Sequence, residues 1–144
     1  MLYILRNILL KRRIRFDNLK HDVNAKCKEL LVQEYFGRIR SRDIQGLLNL
    51  FSDDSVIHEP FSKSSPLSGK SEIESFLRSV VMANEGMQYE IRIERDAMPK
   101  NSLVAIVIFH KDEALKGKFT FEFNDTNGSN LNERIMALRI EFID

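Results

Sequence analysis

A chain of 144 residues, 43% hydrophobic and 30% charged, can bury one continuous core, and that composition excludes wholesale disorder. A net charge of +1 gives no overall attraction to nucleic acid or anionic membranes. The single cysteine, Cys27, excludes an internal disulfide and points to a reducing, cytoplasmic setting.

The chain opens on an apolar and then basic stretch. Arg6, Lys11, Arg12, Arg13, Arg15 and Lys20 face Asp17 alone, a net of +5, which leaves −4 for residues 21–144. Met1–Leu10 is broken by Arg6 and falls short of the roughly twenty apolar residues that span a bilayer. Its charges follow the apolar run and no small-residue cleavage site appears, so it does not read as a signal peptide. Residues 1–20 are read as an extension packed on a domain spanning 21–144; contact with a membrane or partner is the alternative.

Residues from about 20 to 40 predict a helix, because Val23, Cys27, Leu30, Leu31, Tyr35 and Ile39 recur at spacings of three and four. Cys27 lies on that face, which suits inert packing. Asp43 is placed to cap a short second helix carrying Ile44, Leu47, Leu48 and Phe51. Ser55–Glu59 has strand character that Pro60 stops, and the Ser-rich stretch 61–69 reads as loop. A third helix is expected over about 70–83, with Ile73, Phe76, Leu77, Val80 and Val81 on one face.

Everything after that helix predicts strand. Tyr89, Ile91 and Ile93 alternate with Glu90, Arg92 and Glu94 up to a stop at Pro99, and residues 102–110 are apolar on both faces, as in a strand covered on both sides. Phe119, Phe121 and Phe123 alternate with polar residues, Asn127-Gly128 marks a turn, and the closing strand is expected to put Met136, Leu138, Ile140 and Phe142 on one face. Helices first and strands after predict an α+β domain, with helices packed on one face of an antiparallel sheet.

The stretch from Asp43 through Leu47, Leu50, Phe51, Asp53, Asp54 and Val56 to Glu59-Pro60 resembles the first half of a SnoaL-like or ketosteroid isomerase-like domain of the nuclear transport factor 2-like superfamily. Gly69, Ile73 and Phe76 fit that family's next helix, and the strands at 119–124 and 134–144 fit its C-terminal half. The resemblance covers about residues 22–144. It implies a cone-shaped, curved antiparallel sheet wrapped by three N-terminal helices around one apolar pocket, a small hydrophobic ligand and a homodimer. It implies no cofactor.

By the same resemblance Glu59 stands where the isomerases carry the Asp that moves a proton between carbons, and Tyr35 where they carry an oxyanion-binding tyrosine. If Ile57 points into the cone, strand alternation points Glu59 there too, and an apolar pocket disfavours its charged form, as suits a general base. The competing reading makes Glu59 a rim residue, solvated or hydrogen-bonded beside Pro60, and Tyr35 a core tyrosine. Ile57, Phe119, Phe121 and Met136 are the expected ligand-contacting residues. Phe119 departs from the isomerases, which carry a protonated Asp there; a phenyl ring cannot donate that second bond. Two functions stay open, an isomerase- or cyclase-type enzyme and a non-catalytic binding or dimerising module. His58 and His110 fall on the outward parity, no ligand spacing for a metal is present, and the basic extension lacks the interleaved aromatics of a nucleic-acid platform.

Overall fold

The computed structural model describes residues 16–61, 65–94, 101–110, 114–124 and 133–143, with side chains from Lys26 onward. The extension of residues 1–15, the stop at Pro99 and the turn at Asn127-Gly128 lie outside the described residues. Among the described residues three helices, α1 (Phe16–Arg40), α2 (Ile44–Asn49) and α3 (Lys70–Ala83), pack against six strands. The strands are β1 (Phe51–His58), β2 (Leu67–Ser68), β3 (Gln88–Glu94), β4 (Ser102–His110), β5 (Ala114–Phe123) and β6 (Ile135–Ile143). No helix among the described residues is long and apolar enough to cross a membrane.

Helix α1 is described from Phe16 and includes residues 20 and 21. Its buried face comprises Lys28, Val32, Tyr35, Phe36 and Ile39, whereas Leu30, expected inside, is 55% exposed. The face is turned toward Phe36 because two adjacent aromatic rings both enter the core, and Lys28 follows them inward to an ionic partner. Gly37 does not end the helix. The chain leaves it through Arg42 in the left-handed region (φ 59°), with Asp43 N–H donating to Arg38 O (2.9 Å) and Arg42 N–H to Ile39 O (3.2 Å), a Schellman pairing. Asp43 then caps α2, its carboxylate accepting the Gly46 N–H at 2.9 Å and pairing with Arg38. The Gly46 bond above all holds that carboxyl below the usual carboxylate range; desolvation, next in size, opposes it, and Arg38 adds to the lowering.

The sheet runs β2-β1-β6-β5-β4-β3 and is open and mixed, not wholly antiparallel as the sequence suggested. Strand β1 lies parallel to β6, while every other neighbouring pair is antiparallel. The chain makes this pairing only with its last strand, after β2 and α3 have carried it away from β1. Part of the stretch read as loop, Leu67–Ser68, pairs with β1.

Irregularity in β6 corrects a second expectation. Glu122 and Phe123 face Ala137 and Ile135, and Phe51 and Val56 face the same two, so Met136 is left as the extra residue of a bulge. The bulge resets the alternation. Ile135 and Leu138 point into the core, and Met136 is 43% exposed. On β4 the two apolar faces are both buried: Leu103, Ala105 and Val107 enter the core, and Val104 and Ile106 lie on the opposite side.

Candidate functional site

The concave face of the sheet, roofed by α1 and α3, encloses a cavity of about 650 Å³. Tyr35, Phe36 and Ile39 reach it from α1. Helix α3 sends Ile73, Leu77 and Val81 into the core, while the neighbouring stripe of Phe76, Ser79, Val80 and Ala83 lines the cavity, with Asn84 and Met87 following. The sheet contributes Tyr89, Phe109, Leu115, Phe119, Ile140 and Phe142, and the turn after β1 contributes Glu59, Pro60 and Phe61.

Aromatic rings form the inner wall. Phe36 stands edge-on to Phe119 with centroids 5.3 Å apart, Phe109 lies 6.3 Å from Phe119, and Tyr89 lies 6.0 Å from Phe109. Gly117 makes this arrangement fit: a Cβ there would come within 2.9 Å of the Phe119 ring and 3.4 Å of the Phe109 ring. The two rings therefore lie across a strand position that carries no side chain.

Tyr35 is fully buried, and its hydroxyl has no hydrogen-bond partner. Burial, and to a smaller degree the nearby Tyr89, hold this phenol well above its usual range, so it is a neutral donor at any physiological pH. Tyr89 differs, because its hydroxyl donates to Phe36 O at 3.0 Å. The Arg40 guanidinium lies 4.2 Å from the Tyr89 ring centroid, where its charge opposes the rise in phenol pKa that burial causes.

Glu59 is half-buried and lies just past the end of β1. One carboxylate oxygen accepts the Phe61 N–H at 2.8 Å, which closes the turn and sets Phe61 against Phe142 with ring centroids 5.6 Å apart. Phe61 is 80% exposed, so this pair marks the rim of the cavity. The turn places Glu59 there, not the strand alternation with Ile57.

Glu59, Tyr35 and Phe119 thus line one cavity. Ile57 and Phe121 are fully buried in the core behind the wall, and Met136 is directed away by the bulge. His58 is half-buried and His110 is exposed, 3.8 Å from Glu90; neither lines the cavity. Among the described residues no three His, Cys, Asp or Glu side chains gather in a way that could hold a metal ion. Sequence reasoning missed Phe36, Tyr89, Phe109 and the rim pair. The cross-strand pairing of Tyr89 with Phe109 joins residues twenty apart, and only the period-two pattern of each strand hinted at it. A buried ion pair, Lys28 Nζ to Glu133 Oε1 at 2.9 Å, was also missed.

The same architecture occurs in solved structures of low sequence identity. A Caulobacter vibrioides protein with a cystatin-like fold superposes with a TM-score of 0.64 at 13% identity, covering 84% of this chain and 90% of its own. A Mycobacterium tuberculosis protein in complex with estradiol-17β-hemisuccinate gives 0.60 at 20% identity, with coverage of 79% and 92%. A nuclear transport factor 2-like protein from Cytophaga hutchinsonii gives 0.54 at 10%, with coverage of 78% and 87%. The chain matches no family model and no curated protein sequence. Its fold is the nuclear transport factor 2-like, SnoaL-like one.

Proposed function

We propose that this protein binds a small hydrophobic molecule that enters past Phe61 and Phe142 and presents an oxygen acceptor to Tyr35. The observation that carries this reading is the Tyr35 hydroxyl, wholly buried and unpartnered, in an apolar cavity of about 650 Å³. Buried polar groups are almost always hydrogen-bonded, so an unpartnered hydroxyl closed off just behind the wall of a cavity is a donor that a ligand oxygen can satisfy once the wall gives way. The estradiol skeleton of the ligand in the M. tuberculosis complex is rigid and apolar with oxygens at its ends, the class that such a cavity suits, and only its hemisuccinate arm is anionic.

Catalysis of the ketosteroid isomerase type, with Glu59 as the proton carrier, is the extension of this reading. Binding alone is favoured over it, because Tyr35 offers one donor and Phe119 offers none where a developing enolate needs charge stabilisation. The lone Cys27 supports a cytoplasmic setting.

Titration of the full chain with estradiol or a 3-ketosteroid, followed by calorimetry, tests the proposal. Tyr35→Phe should weaken binding about tenfold, the worth of one hydrogen bond of ~1.4 kcal/mol, while the far-ultraviolet circular dichroism stays unchanged. Equal affinity in the variant, or no binding by the native chain, overturns the reading.

A homodimer belongs to the same proposal. Val104 and Ile106 on the outer face of β4 are already buried within one chain, so the half-buried Ile108 and the 43% exposed Met136 are the apolar surface offered to a second copy. Sedimentation velocity should show a dimer at micromolar protein, and a persistent monomer would rule this out.

A further inference from the structure

We infer that the cavity selects ligands whose outward end carries a cationic or hydrogen-bond-donating group, an amphipathic amine above all, and discriminates against ligands that end in a carboxylate. This rests on the proposed binding function and adds to it the charge that the rim accepts.

Among the described residues the polar side chains that line the cavity are five: Tyr35, Glu59, Ser79, Asn84 and Tyr89, whose hydroxyl is already committed to Phe36 O. Two of them have already committed donors within α3. The Ser79 hydroxyl donates to Ser75 O at 3.1 Å, which leaves its oxygen as an acceptor, and the Asn84 amide nitrogen donates one N–H to Val80 O at 2.7 Å, which leaves a second N–H and the oxygen. Tyr35 supplies a donor, and it is the fully buried one. At the rim the balance is reversed. Glu59 offers a carboxylate whose one hydrogen bond comes from the Phe61 N–H, so its other oxygen can accept from a ligand.

No lysine, arginine or histidine lines the cavity among the described residues, so none of these neutralises Glu59 or welcomes an anion. Phe61 and Phe142 line the cavity together with Glu59, and the negative π-face of such rings attracts cations and repels anions. A ligand lying along the cavity is therefore read at two ends by opposite chemistry: an acceptor is required inside, and a donor or positive charge is favoured outside. An ammonium group meets a charge-assisted hydrogen bond from Glu59 together with the aromatic faces, a hydroxyl meets the hydrogen bond alone, and a carboxylate meets like charge.

The test uses three estrane steroids that share one ring skeleton and differ only at position 17, as amine, alcohol and hemisuccinate ester, titrated calorimetrically into the full chain. The amine should bind on the order of tenfold tighter than the alcohol, and the hemisuccinate on the order of tenfold weaker. Glu59→Gln should collapse the amine-to-hemisuccinate ratio toward one. If Glu59→Gln loses its cooperative thermal transition, the ratio in the native chain at low and high salt takes its place, and it should shrink as salt rises. Three ligands of equal affinity, a salt-independent ratio, or the hemisuccinate binding most tightly would overturn the selection while leaving the binding function standing. Binding of none of the three would overturn both.

Discussion

Lys28→Met is expected to destabilise the fold by about 3–5 kcal/mol, because it strands the Glu133 carboxylate inside the protein without its counter-charge. The pair is 2.9 Å apart, and its side chains are only 11% and 4% exposed. The second Glu133 oxygen already lacks a partner among the described residues, so none of these stands ready to replace the lysine. Lys28 also lies 5.9 Å from the Phe123 ring centroid, a contact that the thioether of Met can partly replace. The double change Lys28→Met with Glu133→Leu should recover most of the loss, since an apolar pair of similar volume pays no charge desolvation. Urea denaturation of the three proteins checks this. A single variant within about 1 kcal/mol of native would mean that the pair is solvated in solution. The contact matters to the cavity because Lys28 and Tyr35 stand seven residues apart on α1, about two turns, so the ion pair helps set the rotation that turns Tyr35 inward.

Phe121→Ala should cost a similar amount, about 3–5 kcal/mol, by lost burial and the void it leaves. Phe121 is fully buried, stacks on Phe119 and Phe123 at 6.5 Å each, and meets Tyr35 edge-on at 5.5 Å. It does not line the cavity, yet it backs two rings that do, so ligand affinity should fall along with stability. Phe61→Ala at the exposed rim provides the contrast, with a stability change of about 0.5 kcal/mol or less. Denaturation midpoints for both variants decide the matter. A loss below about 1 kcal/mol for Phe121→Ala would show that the core closes over the gap.

Much of the α+β architecture was legible because periodicity is written by local backbone geometry. The period of two at Phe119, Phe121 and Phe123 places all three rings on one face, and all three are buried. Asp43 before an apolar run announces a cap, since a helix leaves backbone N–H groups unpaired in its first turn for such a side chain to accept, and it accepts the Gly46 N–H there. The spacing of Ile73, Leu77 and Val81 gives the buried face of α3 in the same way.

The site was legible only in part. Tyr35, Glu59 and Phe119 carry side chains whose chemistry stands out, but their shared cavity depends on contacts that no local rule contains. Which strand closes on β1, and in which direction, depends on a pairing between segments more than seventy residues apart, so the parallel β1–β6 ladder has no signature in either strand. Alternation carries Met136 inward on paper; a bulge set by the register with β1 and β5 turns it outward. Leu30 looks more apolar than Lys28, yet Lys28 is the one inside, because Glu133 waits there and the adjacent Tyr35 and Phe36 fix how the helix is rolled. The sequence by itself determined the elements and their apolar faces, through dihedral preference and side-chain periodicity. Tertiary structure alone decided which faces meet, and with that which oxygen is left unpartnered and which carboxylate guards the mouth.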